Sequence, residues 1–241
     1  VYVNSINIIG NRRTLDRVIR REMQISEGDA FSKYIMNYSK DSIRALNYFS
    51  SVEITDERST FPDKIDLLID VEEKNTGEAS IGAGYSSSTS GSITLGLREN
   101  NFLGKGQNVN FSASFANTRN TYDISFTEPY FNNKNLSLSF DIYSNFEDRA
   151  GVNYETEDIG FGFGLGFPLA SDKNIQTKYT LYTSKVKPDS NATAYERLLG
   201  GTDTVSQIGY VFNFDRRNSR YKPSSGFNLS ISQDLAGLGG T

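Results

Sequence analysis

Two charged segments of the sequence carry residue types that could bind a ligand. Carboxylate oxygens are ligands that hard divalent cations prefer, and three of four consecutive positions offer them in Glu155-Thr156-Glu157-Asp158. Arg and Lys side chains bind lipid headgroups, and they cluster in Asp215-Arg216-Arg217 and Arg220-Tyr221-Lys222. Both patterns are also typical of a solvated loop and a solvated turn, which is the interpretation that we favour for each.

The sequence lacks the residues that other kinds of site chemistry require. The sequence contains no His and no Cys, which disfavours zinc sites and His-based acid–base catalysis. It has no Ser/His/Asp or Cys/His set and no Gly-rich loop before a helix. A net charge of −4 gives no general reason to bind nucleic acid. We therefore expect no catalytic residues, no cofactor, no metal and no nucleic-acid partner, and we predict that the protein is not an enzyme.

The first 75 or so residues predict a small two-layer domain of order β-α-α-β-β. Alternating apolar residues indicate strands at Tyr2–Ile9, Val52–Glu57 and Ile65–Glu72. Apolar residues at helical spacing follow Thr14, which we expect to cap the first helix. A second helix should follow Ser32 and bury a mixed stripe made of Ile35, Tyr38, Ser42, Ala45 and Leu46.

From Glu78 onward the helical period disappears and nine strands are predicted. They lie near Ala79–Ser87, Ser92–Arg98, Asn108–Phe115, Tyr122–Thr127, Leu136–Phe146, Ile159–Phe167, Ile175–Val186, Val205–Asp215 and Phe227–Leu235. No run approaches the roughly 18 apolar residues that a membrane helix needs. Several strands have the length of about 9–11 residues with which a tilted strand crosses a bilayer. A membrane barrel and a water-soluble sandwich both remain compatible with this pattern.

The lengths of the connections favour the barrel. Short and long connections alternate, and the two longest fall on the side opposite the N-terminal domain, as in outer-membrane barrels. Aromatic residues end the strands on the near side, where a girdle belongs: Phe102, Tyr130, Phe131 and Phe167. Alternation then predicts lipid contact for Phe161, Phe163, Tyr179, Leu181, Tyr210 and Phe212. It places Asp141, Lys178, Gln207 and Asn213 in the lumen.

Nine strands cannot close a bacterial barrel, which has an even number, so we expect a chain truncated from a larger barrel. The sequence also begins at Val1 with neither an initiator Met nor a signal peptide. This indicates a processed or truncated product whose signal peptide has been removed.

Six short motifs give the chain a resemblance to the BamA family of outer-membrane β-barrel assembly factors. In chain order they are Arg20-Arg21-Glu22-Met23 with Glu27-Gly28, the junction Glu72–Gly77, Asn101–Gly106, Thr127–Phe131, Gly166-Phe167-Pro168 and Pro223–Gly226. The resemblance implies an α+β periplasmic POTRA domain at residues 1–76, the last repeat before the barrel. It also implies that residues 77–241 are the N-terminal part of an antiparallel transmembrane barrel of sixteen strands.

The resemblance further implies outer-membrane protein assembly without ATP, through a lateral seam and β-augmentation. The partners would be unfolded outer-membrane proteins, assembly-complex lipoproteins and outer-membrane lipid, with the POTRA domain in the periplasm.

Lipoprotein docking would involve Arg21 and Glu22, with Glu22 at the rim of an apolar stripe. The aromatic belt named above would lie on the periplasmic side. The seam strand would contain Ala79, Ser80, Ile81, Gly82, Ala83, Gly84 and Tyr85. The alternatives are a two-partner-secretion pore of the same superfamily and a passive porin.

Overall fold

The computed structural model describes residues 1–86, 90–148, 151–218 and 223–237. They form two compact units. Unit 1 comprises Val1–Glu78 together with Glu99–Gln107, and unit 2 comprises Ala79–Arg98 together with the chain from Asn108. Within the described ranges, no helix is both long enough and apolar enough to span a membrane.

Unit 1 contains three strands and two helices in the predicted order β-α-α-β-β. They are β1 (Tyr2–Ile9), α1 (Asp16–Arg20), α2 (Lys33–Ala45), β2 (Phe49–Arg58) and β3 (Lys64–Glu73). The sheet order is β1-β3-β2, with β3 parallel to β1 and antiparallel to β2. The central strand β3 buries Leu67, Ile69 and Val71 at alternate positions, as its sequence pattern requires.

The core of unit 1 joins both helices to the sheet. Val18 and Ile19 of α1 and Ile43 of α2 are fully buried in it. The buried face of α2 differs from the predicted stripe, because Met36, Ser39 and Ile43 point inward while Tyr38 is 54% exposed. Ser39 tolerates burial since its hydroxyl donates to the Ile35 carbonyl and accepts the Gln24 amide.

In the described residues of unit 2 there are nine long strands, and all nine predicted strands are confirmed. They are β4 (Gly77–Ser86), β5 (Ser90–Phe102), β6 (Gln107–Ala116), β7 (Arg119–Glu128), β8 (Ser137–Asp148), β9 (Tyr154–Ala170), β10 (Lys173–Pro188), β11 (Gly201–Asp215) and β12 (Asn228–Ala236). A 3₁₀ turn (Phe131–Asn133) follows β7, and a short helix α3 (Ala194–Leu198) lies in the loop after β10.

The nine strands form one sheet in unbroken chain order from β4 to β12. The order makes it an antiparallel meander, and we call the end at which β4 begins its near end. The register aligns Phe140, Phe163 and Tyr179 on one face of β8, β9 and β10. All six residues predicted to contact lipid share this apolar face, and the four predicted lumenal residues share the opposite, polar face. The contact of the apolar face with lipid remains a prediction.

Candidate functional site: the β4 edge and the α1 surface

Strand β4 is the terminal strand of the nine-stranded sheet. Within the described ranges its only strand neighbour is β5, so no strand is paired to its outer edge there. Every residue of β4 is exposed, including Ile81 at 79% and Tyr85 at 85%. The seven residues of the predicted seam all lie on this strand, while Ser87, the last residue of the predicted strand, falls outside the described residues.

Small side chains meet on one face of the pairing between β4 and β5. The Ser80 hydroxyl lies 2.6 Å from the ideal Cβ position of Gly96, and the Ser92 hydroxyl lies 3.0 Å from that of Gly84. Gly82 has no atom within 4 Å of that position. Because glycine brings no side chain to pack, the face of β4 that carries Gly82 and Gly84 adds little packing to the backbone hydrogen bonds of the strand.

The glycines of β9 have a different role from Gly82. Side chains of both neighbouring strands lie over this row, with Ser139 over Gly164 and with Tyr143 and Tyr182 over Gly160. The groups that lie close to these glycines are polar side chains of β8 and β10. The row therefore leaves room on the polar face for side chains of β8 and β10.

Arg21 and Glu22 directly follow α1 and form an ion pair. Arg21 Nε lies 3.5 Å from Glu22 Oε1, and only 16% and 18% of the two side chains are exposed. The sequence placed Glu22 at the rim of a contact surface, and the structure covers most of its side chain. Tyr48 lies close enough for electrostatic interaction with both residues. Burial raises the pKa of the Tyr48 hydroxyl, although the Arg21 charge opposes the shift.

Sequence reasoning missed a buried polar network between α1 and the turn Asn101–Gly106. Asn101 donates from Nδ2 to the Thr14 hydroxyl at 2.9 Å and accepts the Gly106 amide at 2.8 Å. Gly104 accepts the Leu15 amide, and its positive φ and crowded Cβ position leave no room for a side chain. The spacing Asn-x-x-Gly-x-Gly is the signal that could have indicated this turn.

The expected N-cap at Thr14 is wrong. Leu15 is the N-cap of α1, and it makes no side-chain cap bond. Thr14 is instead buried against Asn101. The side chain of Glu73, which belongs to β3, caps the backbone amides just before α1. Its carboxylate accepts the amides of Arg13 at 3.0 Å and Thr14 at 2.6 Å. Partial burial raises the pKa of Glu73, but the hydrogen bonds from Thr14 and Arg13 outweigh it and lower the pKa below its ordinary value.

The four aromatic residues of the predicted belt lie where β5, β7 and β9 end, which is the near end of the sheet. Phe102 is the last residue of β5, Tyr130 and Phe131 follow β7, and Phe167 lies near the end of β9. Phe131 is 45% exposed and Phe167 is 38% exposed. Such side chains fit a membrane–water boundary, and the belt remains a prediction.

Neither of the two charged segments forms a compact site from its own residues alone. Side chains alternate between the two faces of β9, so Glu155 and Glu157 lie on one face. Asp158 lies with Thr156 on the other face, so the three carboxylates do not converge. The described ranges hold no group of three or more acidic residues that could bind a metal. Arg217 donates to Asp215 from two nitrogens, at 2.8 and 2.7 Å, and Arg216 pairs with Asp172. The segment Arg220-Tyr221-Lys222 lies outside the described residues.

Comparisons with protein families find two matches that together cover nearly the whole chain. Residues 101–241 match the family described as the Omp85 superfamily domain. Residues 1–74 match the POTRA family, described as a surface antigen variable number repeat.

Two curated relatives carry the name outer membrane protein assembly factor BamA. The chain is 30% identical to the one from Nitratidesulfovibrio vulgaris, over 98% of its own length and 30% of the relative. It is 31% identical to the one from Neisseria meningitidis serogroup B, over 70% of its length and 22% of the relative. The chain thus spans less than a third of the length of these relatives.

The structure is also similar to solved structures. The crystal structure of Haemophilus ducreyi BamA lacking POTRA domains 1–3 matches the entire chain with a TM-score of 0.81 at 24% identity, and the match covers 49% of that chain. CdiB from Acinetobacter baumannii matches with a TM-score of 0.56 at 14% identity, over the entire chain and 46% of the other. At these identities the likeness shows the shared fold.

Proposed function

Because the chain belongs to the Omp85 superfamily and is of the BamA type, we propose that it assembles β-barrel proteins in the outer membrane. It is an outer-membrane protein with a periplasmic POTRA domain. We take residues 1–76 as that domain and 77–241 as barrel. Its substrates are unfolded outer-membrane proteins, and no ATP is required.

The exposed edge of β4 is the observation that carries this proposal. An unpaired backbone group costs several kcal/mol in hydrocarbon, so a nascent strand cannot enter lipid alone. An edge strand that donates and accepts backbone hydrogen bonds removes that cost, and backbone pairing demands little of side-chain identity. Strand β4 offers such an edge, and its glycines make its other interactions weak.

Crosslinking in the intact protein tests the seam. Single cysteines at Ile81 and Gly82 should form disulfides with the terminal strand of a folding substrate. Cysteine at Tyr179, on the apolar face of β10, is the control that should not. A disulfide that ties β4 to the closing strand of the intact protein should stop assembly while the barrel stays folded. Substrate assembly at the normal rate in the locked protein would rule out the seam as the route.

We also propose that Arg21 and Glu22 dock an accessory lipoprotein through a cationic side chain of the partner. Arg21 already faces the Glu22 carboxylate in this structure, so an incoming cation would compete with it or join it. Glu22→Lys should release the partner, and a reversed charge on the partner should restore binding. Glu27→Lys, which changes an exposed acid of the same unit, is the matched control. Undiminished co-purification with Glu22→Lys would show that the pair is only structural.

The alternatives receive less support. The likeness to CdiB extends to the fold alone, whereas the curated relatives cited above are named as assembly factors. A passive porin gives no reason for a POTRA domain. The expectation that the protein is not an enzyme agrees with relatives that are named as assembly factors.

A further inference from the structure

Two cations converge on one aromatic ring at the near end of the apolar face. Lys173 Nζ lies 4.9 Å from the centroid of the Phe214 ring, and Arg216 Cζ lies 5.7 Å from it. The Phe227 ring packs edge-on against Phe214 at a centroid distance of 5.1 Å. These four residues, which we call the Phe214 cluster, join the start of β10 to the turn between β11 and β12.

The Phe214 cluster lies at the border of the apolar face. Lys173 is the first residue of β10 and pairs directly with Phe214, and the next pair on that face is Ile175 with Phe212. On the other side, Phe214 pairs with Leu229 of β12. The apolar stem of a Lys or Arg can follow such a surface while its charge stays at the water boundary. The cluster thus has the residue types and the position expected at a membrane interface.

The charge of the Phe214 cluster is only partly compensated. Arg216 Nε pairs with Asp172 at 3.1 Å, and the Arg216 side chain is still 64% exposed. Among the described residues, no carboxylate lies within ion-pair distance of Lys173. Cation–π contact with Phe214 holds both positive groups near one ring without neutralising them. The cluster therefore presents an excess of positive charge beside aromatic surface.

We propose that the Phe214 cluster binds the phosphate of an anionic glycerophospholipid in the periplasmic leaflet. The guanidinium of Arg216 and the ammonium of Lys173 recognise the phosphate, the first as a planar fork and the second as a point charge. Phe214 and Phe227 contact the glycerol and the first acyl carbons. This site depends on the outer-membrane location of the protein and is independent of the β4 seam.

Lipid titration of the intact, delipidated protein in detergent tests the site, with native mass spectrometry counting the bound lipids. Phosphatidylglycerol should bind more tightly than phosphatidylcholine. The double variant Lys173→Gln/Arg216→Gln should weaken phosphatidylglycerol binding about 30-fold, since each cation near an anionic lipid contributes roughly fivefold. Asp172→Asn should strengthen it severalfold, because it removes the competing carboxylate.

The matched control is Lys185→Gln/Lys187→Gln. These lysines lie on the same face of β10 at its opposite end, and Lys187 pairs with Glu155 at 3.6 Å. The control should bind phosphatidylglycerol as the unmodified protein does. Equal binding of the two lipids, or equal losses in both double variants, would overturn the proposal. Competition by inorganic phosphate at the concentrations at which phosphatidylglycerol binds would assign the site to a free anion instead.

Discussion

Lys178 Nζ lies 2.8 Å from Asp141 Oδ1, although the two residues belong to β10 and β8, with β9 between them. Gly162 makes this contact possible. Asp141 is its register partner on β8, and a Cβ at Gly162 would collide with both Lys178 Cε and the Asp141 carboxylate. The row of glycines in β9 thus allows a polar interaction across three strands.

The first prediction follows from that contact. Gly162→Ala should displace the Lys178–Asp141 pair and destabilise the folded protein by roughly 1–3 kcal/mol, the usual cost of overpacking. Gly82→Ala is the matched control, because no atom lies within 4 Å of its Cβ position. The control should be neutral or stabilise by up to about 1 kcal/mol, since alanine is less flexible than glycine. Urea unfolding of both variants in vesicles measures the difference, and equal free energies of unfolding would contradict the role of Gly162.

A second prediction distinguishes the two faces of the sheet. Phe163 packs against Phe140 with ring centroids 5.2 Å apart on the apolar face, while Gln207 lies on the polar face. Lys on the lipid side near the bilayer midplane costs roughly 2–4 kcal/mol. Phe163→Lys should therefore reduce barrel stability by about that amount, and Gln207→Lys should have little effect. Equal effects in a detergent-folding assay would contradict the assignment of the apolar face to lipid.

The strands could be predicted from the sequence because alternation is a local signal. Ile159–Phe167 alternates Phe and Leu with Gly, and the observed strand extends from Tyr154 to Ala170 around it. What lies over those glycines was not predictable, because it depends on the register with β8 and β10. A shift of one residue would have placed a different set of side chains there.

In unit 1 the helices were predictable, but the residues that they bury were not. The existence of α2 was predictable from the helical spacing of its apolar residues, but its buried face was not. Tyr38 and Ser39 are adjacent in the sequence, and hydrophobicity alone favours burial of Tyr38. Ser39 is buried because two backbone groups satisfy its hydroxyl. The predicted N-cap at Thr14 failed for a similar reason, since its hydrogen-bond partner Asn101 is 87 positions away in the chain.

A third prediction concerns pH. The folded structure lowers the pKa of Glu73, so its carboxylate stabilises the start of α1 above the unfolded pKa of about 4.5. That contribution should be lost as the pH falls through the lower, folded pKa. Glu73→Gln should remove this pH dependence and destabilise the α1 segment at neutral pH by about 1 kcal/mol, as for loss of a helix cap.

Hydrogen exchange of the intact protein measures this change, with rates corrected for their intrinsic pH dependence. Protection of the Arg13 and Thr14 amides should fall as the solution is acidified below pH 4.5. The Asn153 amide is an internal control, because it donates to the Glu196 carboxylate. Hydrogen bonds from Thr193 and Asn153 lower the pKa of Glu196 to about 2. Its protection should persist to a lower pH. Simultaneous loss at the two places would indicate general acid unfolding instead.

The last prediction concerns the turn that completes unit 1. Asn101 is 8% exposed and makes side-chain bonds to Thr14 and Gly106. Asn101→Ala leaves the Gly106 amide and the Thr14 hydroxyl without that partner, and an unsatisfied buried group costs about 1–3 kcal/mol. We expect the Leu15 and Gly106 amides to exchange roughly 10-fold faster or more, since 1.4 kcal/mol corresponds to a factor of ten. Asn37→Ala, at an exposed position of α2, should leave these two rates unchanged. Equal rates in the two variants would mean that Asn101 does not hold the turn against α1.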